Sequence, residues 1–78
     1  MVKMKITGTR SYVVLDIDGW KIKVKGEFII GGFIAKKESM RKFESPYDNV
    51  DLTDAIKIRY IDEAVMKTAN SHMVIKFT

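Results

Sequence analysis

The sequence predicts an α+β fold: an antiparallel β-meander of about four to six short strands, packed against one helix in the C-terminal half and followed by a closing strand. Three observations predict it. Strand-like runs flank an Asp-Gly pair at 18–19, a helical pattern spans 53–69, and an alternating run follows at 73–78. A chain of 78 residues has the length of one domain, which we take as residues 1–78.

The central hairpin is the clearest local feature. Residues 12–17 are β-branched and aromatic, and Asp18-Gly19 separates them from the next run. Asp-Gly between two such runs favours a type I′ turn, in which both central residues take positive φ. In the second run, apolar residues alternate with lysines: Trp20, Ile22 and Val24 with Lys21, Lys23 and Lys25. This alternation predicts a sheet with one face in the core and a lysine face in solvent.

Shorter runs predict the other strands. Residues 4–7 precede the hairpin, and residues 28–30 and 33–35 follow it on either side of Gly31-Gly32. Two adjacent glycines permit a tight turn or a bulge because they carry no Cβ. Residues 40–43 suit either a short strand or a helical turn, and Pro46 predicts a turn after them.

The helix is predicted over residues 53–69, with Asp51 or Thr53 as its N-cap. Aliphatic residues recur at helical spacing and predict the face that packs on the sheet: Ile58, Ile61, Val65 and Ala69. The closing strand follows Asn70-Ser71, because its residues alternate apolar and polar character.

The residue inventory leaves little for catalysis. There is no cysteine, so disulfides and thiolate metal sites are excluded. His72 is the only histidine, and a Ser–His–Asp triad could use only that residue. No calcium-loop, P-loop or dinucleotide-binding spacing occurs. We therefore predict that the protein is not an enzyme and uses no metal or other cofactor.

Two further features predict a cytoplasmic protein without membrane contact. The N-terminal stretch, residues 1–8, lacks the apolar segment of a secretory signal. The longest apolar run, residues 28–35, is far shorter than the roughly 20 residues that cross a bilayer.

Charge divides the chain into a basic and an acidic part. Residues 1–42 carry ten basic and four acidic residues, a net charge of +6, whereas residues 44–63 carry six acidic and two basic residues, a net charge of −4. Opposite fields on one small domain suit different partners. Lys21, Lys23 and Lys25 could follow a nucleic-acid backbone, although Trp20 points to the opposite face and so offers no stacking platform. A small nucleic-acid-binding module using the lysine face of the 12–25 hairpin therefore stands as the alternative hypothesis.

The acidic part instead suits a basic protein partner, because aromatic side chains beside acidic ones are typical of binding anchors with a charged rim. The predicted partner-binding residues are Phe33, Phe43, Glu44, Tyr47, Asp48, Asp51, Tyr60, Asp62 and Glu63. For Phe33 and Phe43 the sequence leaves two roles open, interface anchor or core. It also leaves the oligomeric state open, because an exposed edge strand could pair with a second copy or accept a strand from the partner.

A series of short motifs extends over nearly the whole chain: Ile6-Thr7, Asp18-Gly19 with the lysine-rich strand after it, Gly31-Gly32-Phe33-Ile34-Ala35, and Phe43-Glu44-Ser45-Pro46-Tyr47 before an acid-started helix. In these motifs the chain resembles a bacterial immunity-protein family of polymorphic toxin systems, family seventy-four. It departs from the family pattern at Phe43, where relatives carry Trp, at Ser45, where a second proline is common, and in a less acidic helix start.

The resemblance implies a cytoplasmic bacterial antitoxin that performs no chemistry. Such a protein binds a cognate toxin, commonly encoded by an adjacent gene, and neutralises it by non-covalent occlusion. The toxin could be a nuclease and could belong to a contact-dependent growth-inhibition system. The resemblance does not identify the toxin, because immunity proteins vary with their partners.

Overall fold

A computed structural model describes residues 3–78 and contains five strands and one α-helix. Met1 and Val2, which belong to the N-terminal stretch considered above, lie outside the described residues. In chain order the elements are β1 (Met4–Gly8), β2 (Tyr12–Ile17), β3 (Trp20–Ile29), β4 (Gly32–Ala35), a 3₁₀ turn (Lys37–Ser39), α1 (Asp54–Thr68) and β5 (Val74–Phe77). The strands form one sheet in the order β1-β2-β3-β4-β5. The predicted α+β class is confirmed.

The β2–β3 hairpin forms at the Asp-Gly pair. Asp18 and Gly19 have φ of 53° and 89°, the positive values that the pair predicts. The Asp16 carboxylate accepts a hydrogen bond from the Gly19 N–H at 2.8 Å, which holds the turn. The register sets Leu15 opposite Ile22, and both are fully buried. The turn chemistry therefore places the apolar faces of both strands in the core.

The strand β3 changes partner at Gly26. Residues 20–25 pair with β2, and residues 26–29 pair with β4. At Gly26 the chains lie so close that a Cβ would overlap the Ile34 carbonyl oxygen and would lie 2.7 Å from the Phe33 ring. The structure has no separate strand at 28–30. Instead, β3 continues to Ile29, and the chain turns at Gly31 (φ 80°).

The predicted meander is antiparallel only as far as β4. The strand β5 runs parallel to β4, with Phe33 opposite Ile75. A parallel pair needs a long crossover, which residues 36–73 provide through the loop and α1. The sequence pattern could not show this, because alternation reports which face a strand buries and not its direction.

The segment at 40–43 is neither of the predicted alternatives. The 3₁₀ turn ends at Ser39, and the following residues form an irregular loop in which Met40 and Phe43 are buried. The loop covers the free edge of β3. The Lys25 N–H donates to the Ser39 hydroxyl at 2.9 Å, and the Glu44 N–H donates to the Lys21 carbonyl at 2.8 Å.

The helix begins as predicted but buries a different face. The Thr53 hydroxyl accepts a hydrogen bond from the Ile56 N–H at 3.3 Å, so Thr53 is the N-cap. Of the expected packing stripe, Ile61 packs against the core, whereas Ala69 is exposed and Ile58 and Val65 are 58% and 41% exposed. The buried residues of α1 are Tyr60, Ala64 and Thr68.

Polar atoms that find partners explain this outcome. The Thr68 hydroxyl donates to the Ala64 carbonyl at 2.8 Å and accepts from the Ile75 N–H at 3.1 Å. Satisfied polar atoms can be buried at little cost, so a stripe with a threonine and a tyrosine packs on the sheet. The buried hydrophobic core consists of Met4, Val13, Leu15, Ile22, Val24, Phe33, Ala35, Met40, Phe43, Tyr60, Ala64 and Ile75.

Candidate partner-binding site

Four aromatic rings meet at the start of β3. The irregular loop formed by residues 40–47 passes over the strand there, and we call it the 40–47 loop. The Trp20 and Tyr47 rings are stacked, with centroids 3.7 Å apart and planes within 9°. Phe43 meets Trp20 edge-on at 5.2 Å and Tyr60 edge-on at 6.1 Å. Stacked and edge-on pairs stabilise beyond the area they bury, so the four rings position one another. We call these residues the aromatic cluster.

Tyr60 joins the cluster to the helix. Its hydroxyl donates to the Trp20 carbonyl at 2.8 Å, and the residue is 5% exposed. Burial raises the pKa of Tyr60 above its ordinary value of 10.0, the nearby Asp16 carboxylate raises it further, and Arg59 acts in the opposite direction. Tyr60 is therefore a neutral hydrogen-bond donor at physiological pH and holds α1 to β3.

Tyr47 is the outer member of the cluster, and it lies in a turn-rich segment. The Tyr47 N–H donates to the Glu44 carbonyl at 3.0 Å, the Val50 N–H donates to the Tyr47 carbonyl at 3.0 Å, and the Ser45–Pro46 peptide is cis. Asp48 and Asp51 are exposed on either side of Val50. We call residues 44–51 the acidic loop; its aromatic ring is fixed by stacking while its carboxylates face solvent.

The outward face of α1 adjoins this loop. Ile58, Val65 and Met66 are exposed on it, with Met66 at 74%. Asp62 is exposed at helical spacing from these residues, and Glu63 is half-buried. The exposed side of the helix thus carries apolar side chains interspersed with charged ones, among them Asp62 and Arg59.

A groove separates the acidic loop from the start of the helix. It has a volume of ≈ 420 Å³, and Trp20, Phe43, Val50, Ile56, Arg59 and Tyr60 are among its lining residues. Three members of the aromatic cluster line it, and Arg59 and Asp18 supply groups of opposite charge.

The structure separates the nine predicted partner-binding residues into two groups. Phe33, Phe43 and Tyr60 lie in the core, at 0%, 3% and 5% exposure, so their rings are not exposed anchors. Of the two roles left open for Phe33 and Phe43, the structure selects the core. The other six reach the surface: Glu44, Tyr47 and Glu63 are half-buried, and Asp48, Asp51 and Asp62 are exposed.

Trp20 joins three of these residues and was not among those predicted. Sequence reasoning assigned it to the core because it alternates with lysines. It also follows the hairpin turn directly, at the end of a strand, where a ring meets loop residues as well as core residues. That position was the signal available for its role in the aromatic cluster.

The opposite face of the sheet carries the predicted lysines. Lys21, Lys23 and Lys25 are exposed, and the Lys23 ammonium lies 4.2 Å from the Tyr12 ring centroid. Asp16 and Glu44 line a concave surface together with Lys5 and Lys21, so carboxylates interrupt this cationic face.

The described residues contain few groups suited to metal binding. Within them no three His, Cys, Asp or Glu residues lie close enough together to hold a metal ion. The one histidine, His72, is exposed. No helix in this part of the chain is long and apolar enough to cross a membrane.

The fold and site define a small α+β binding domain with an acidic, partly apolar surface held by an aromatic cluster. The chain belongs to the Immunity protein 74 family, whose family model matches residues 5–78. The family relation makes it an immunity protein, with a cognate toxin as partner and inhibition as its role. No curated protein and no solved structure matches the chain.

Proposed function

We propose that this immunity protein neutralises its toxin by non-covalent occlusion, through the acidic loop and the outward face of α1. The observation that carries the proposal is Tyr47, which stacks on Trp20 at 3.7 Å and directly precedes the segment with the exposed carboxylates of Asp48 and Asp51. A ring already fixed in the free protein loses little conformational freedom on binding, so most of its contact energy contributes to affinity.

Charge and apolar area have separate roles in this interface. Asp48, Asp51 and Asp62 raise the association rate with a basic partner and select against acidic ones. Ile58 and Met66 supply the apolar area whose burial stabilises the complex once formed. A partner with a cationic cleft, such as a nuclease with its phosphate-binding residues, meets both requirements.

The biological setting belongs to the same proposal. We place the protein in the bacterial cytoplasm, where it binds the product of an adjacent toxin gene, which could belong to a contact-dependent growth-inhibition system. Expression of the adjacent gene product should arrest growth, and co-expression of the immunity protein should restore growth and yield a complex on purification. A result with no growth rescue and no complex would contradict the proposal.

Reversal of the loop charges tests the proposed surface. The double variant Asp48→Lys, Asp51→Lys should associate with the toxin about 10-fold or more slowly at low salt, because both carboxylates are exposed and steer the encounter. Stopped-flow association at two salt concentrations measures this effect. The matched control is Glu27→Lys, Glu38→Lys, which also reverses two exposed carboxylates but lies outside the acidic loop. An unfolded double variant would instead make Asp48 and Asp51 structural.

Nucleic-acid binding is the second candidate function, supported by the three exposed lysines of β3 and the adjacent Tyr12 ring. It predicts binding to single-stranded DNA or RNA that weakens steeply with salt. Fluorescence anisotropy with a labelled oligonucleotide measures it, and the triple variant Lys21→Ser, Lys23→Ser, Lys25→Ser should abolish binding. Binding absent at low salt would remove this candidate.

A further inference from the structure

A second concave surface lies far along β3 from the aromatic cluster. It is a cleft of ≈ 580 Å³ between the end of β1 and the start of β5. Its apolar lining comes from Ile6, Val13, Phe28, Met73 and Ile75, and Phe28 and Met73 are 55% and 42% exposed. The two exposed side chains beside one cleft offer a partner apolar surface to bury.

The main chain beside this cleft is unpaired on one side. The Thr9 N–H donates to the Tyr12 carbonyl at 2.8 Å, so Thr9 faces β2. In an antiparallel pair, successive residues direct their main-chain groups alternately toward and away from the partner strand. Ile6 and Gly8 therefore direct theirs away from β2. Among residues 3–78, β1 makes no hydrogen bond on that side.

The other open edges of the sheet each carry hydrogen bonds to a covering segment. The free edge of β3 bonds to Ser39 and Glu44, and the far edge of β5 bonds to the Thr68 hydroxyl through the Ile75 N–H. Proteins usually cover such edges, because an exposed edge pairs with other chains. The end of β1 makes no such hydrogen bond among the described residues, and it also borders an apolar cleft.

The charge of the cleft indicates what fits it. Arg10 is the one formally charged residue in its lining, His72 is a further hydrogen-bonding group, and no carboxylate is present. A second copy would bring its own Arg10 to the same place, and the two like charges would repel. A segment with a carboxylate and an apolar side chain is complementary to the cleft.

We infer that the cleft between β1 and β5 binds an extended segment of the toxin. The segment pairs with Ile6 and Gly8 as an added strand, packs an apolar side chain against Phe28 and Ile75, and directs a carboxylate to Arg10. The inference rests on the proposed function and deepens it: the acidic loop and α1 cover one region of the toxin, and β1 holds an extended piece of it.

Substitutions in the cleft test the side-chain contacts. Calorimetric titration with the toxin domain identified by growth rescue should give at least 10-fold weaker binding for Phe28→Ser and for Arg10→Glu. The matched controls are Ile30→Ser, which is fully exposed on the adjacent turn and does not line the cleft, and Arg41→Glu. Both controls should bind as the unchanged protein does. Circular dichroism checks that all four variants fold.

Amide hydrogen exchange tests the added strand. In the free protein the Ile6 and Gly8 amides should exchange quickly, while the Thr7 amide, directed at β2, is protected. In the toxin complex Ile6 and Gly8 should become protected by 10-fold or more. Unchanged exchange at both residues would overturn the inference.

The remaining outcomes are separable. If the unchanged protein does not bind the toxin, the proposed function fails and this inference fails with it. If it binds and the two cleft variants bind equally well, only the cleft inference is overturned. Equal losses for Phe28→Ser and Ile30→Ser would place the contact on the turn and overturn it too. A dimer in sedimentation that Phe28→Ser converts to a monomer would make the occupant a second copy.

Discussion

The two ends of β3 treat large apolar side chains in opposite ways. Trp20, at the start of the strand, is packed among Phe43, Tyr47 and Tyr60, whereas Phe28, eight residues later, is 55% exposed. At about 3.3 Å per residue they lie roughly 26 Å apart. Both residues are aromatic and lie in one strand, so residue type does not explain their different exposure. The difference depends on whether another segment of the chain covers that end of β3.

The cover comes from outside the strand. The 40–47 loop and α1 lie over the start of β3, while the other end forms an open turn with the fully exposed Ile30. Coverage fixes one end in a packed aromatic cluster and leaves apolar side chains exposed at the other. The following changes test that contrast.

Truncation of one ring at each end should have the largest effect. Phe43→Ala removes a buried ring from the aromatic cluster and should lower the free energy of unfolding by about 3–5 kcal/mol. Phe28→Ala removes an exposed ring and should cost about 1 kcal/mol or less. Urea denaturation measures both. Equal losses would mean that the two ends are packed alike.

Gly26→Ala tests the point where β3 passes from one environment to the other. The added methyl group would overlap the Ile34 carbonyl oxygen and press on the Phe33 ring, so the strands must separate. We expect a loss of about 1–3 kcal/mol in the free energy of unfolding, as for other overpacked sites. Gly31→Ala offers a contrast: it meets no atom within 4 Å, and its cost comes from its positive φ alone. A neutral Gly26→Ala variant would show that β3 and β4 can move apart there.

Tyr60→Phe should have a smaller effect. The change keeps the ring in the aromatic cluster and removes the hydroxyl bond to the Trp20 carbonyl, so the loss should be about 0.5–1.5 kcal/mol. Tyr12→Phe is the control, because its ring is half-buried and its hydroxyl makes no hydrogen bond among the described residues. Equal losses in the two variants would argue against a stabilising role for the Tyr60 hydroxyl.

The same residue predicts a dependence on alkaline pH. The pKa of Tyr60 is raised in the folded state, chiefly by burial, so the unfolded chain loses this proton first. Its contribution to stability is complete below pH 10.0 and is lost as pH rises from there through the folded-state pKa. Above that pH, the free energy of unfolding should therefore fall less with rising pH in the Tyr60→Phe variant than in the unchanged protein. Parallel curves for the two proteins in thermal melts across this range would contradict the assignment.

The sequence predicted the parts of the fold that local chemistry decides. The hairpin at Asp18-Gly19 and the cap at Thr53 each depend on a few neighbouring residues, and both are confirmed. The direction of β5 and the buried face of α1 depend on distant partners: Ile75 pairs with Phe33 and bonds to Thr68. A local sequence pattern does not indicate such partners, because an aliphatic stripe has the same spacing whether or not it packs against a sheet.

The candidate site divides in the same way. Carboxylates at Asp48, Asp51 and Asp62 were expected at the surface and lie there, because a charged group is rarely buried without a partner. Aromatic residues carry no comparable rule, so Phe43 and Tyr60 proved to be core and Trp20 was missed. That these surface residues contact the toxin remains a prediction for the binding experiments above.

The parallel pairing of β4 with β5 also has a consequence in time. The paired strands are separated by about 40 residues, so a ribosome adding roughly 5–20 residues per second needs about 2–8 s to pass from one to the other. Until residue 77 is made, β4 lacks its outer neighbour and α1 lacks the strand whose Ile75 N–H donates to the Thr68 hydroxyl. Every new copy therefore passes through an interval of seconds in which β4 and α1 are synthesised and the strand that joins them is not.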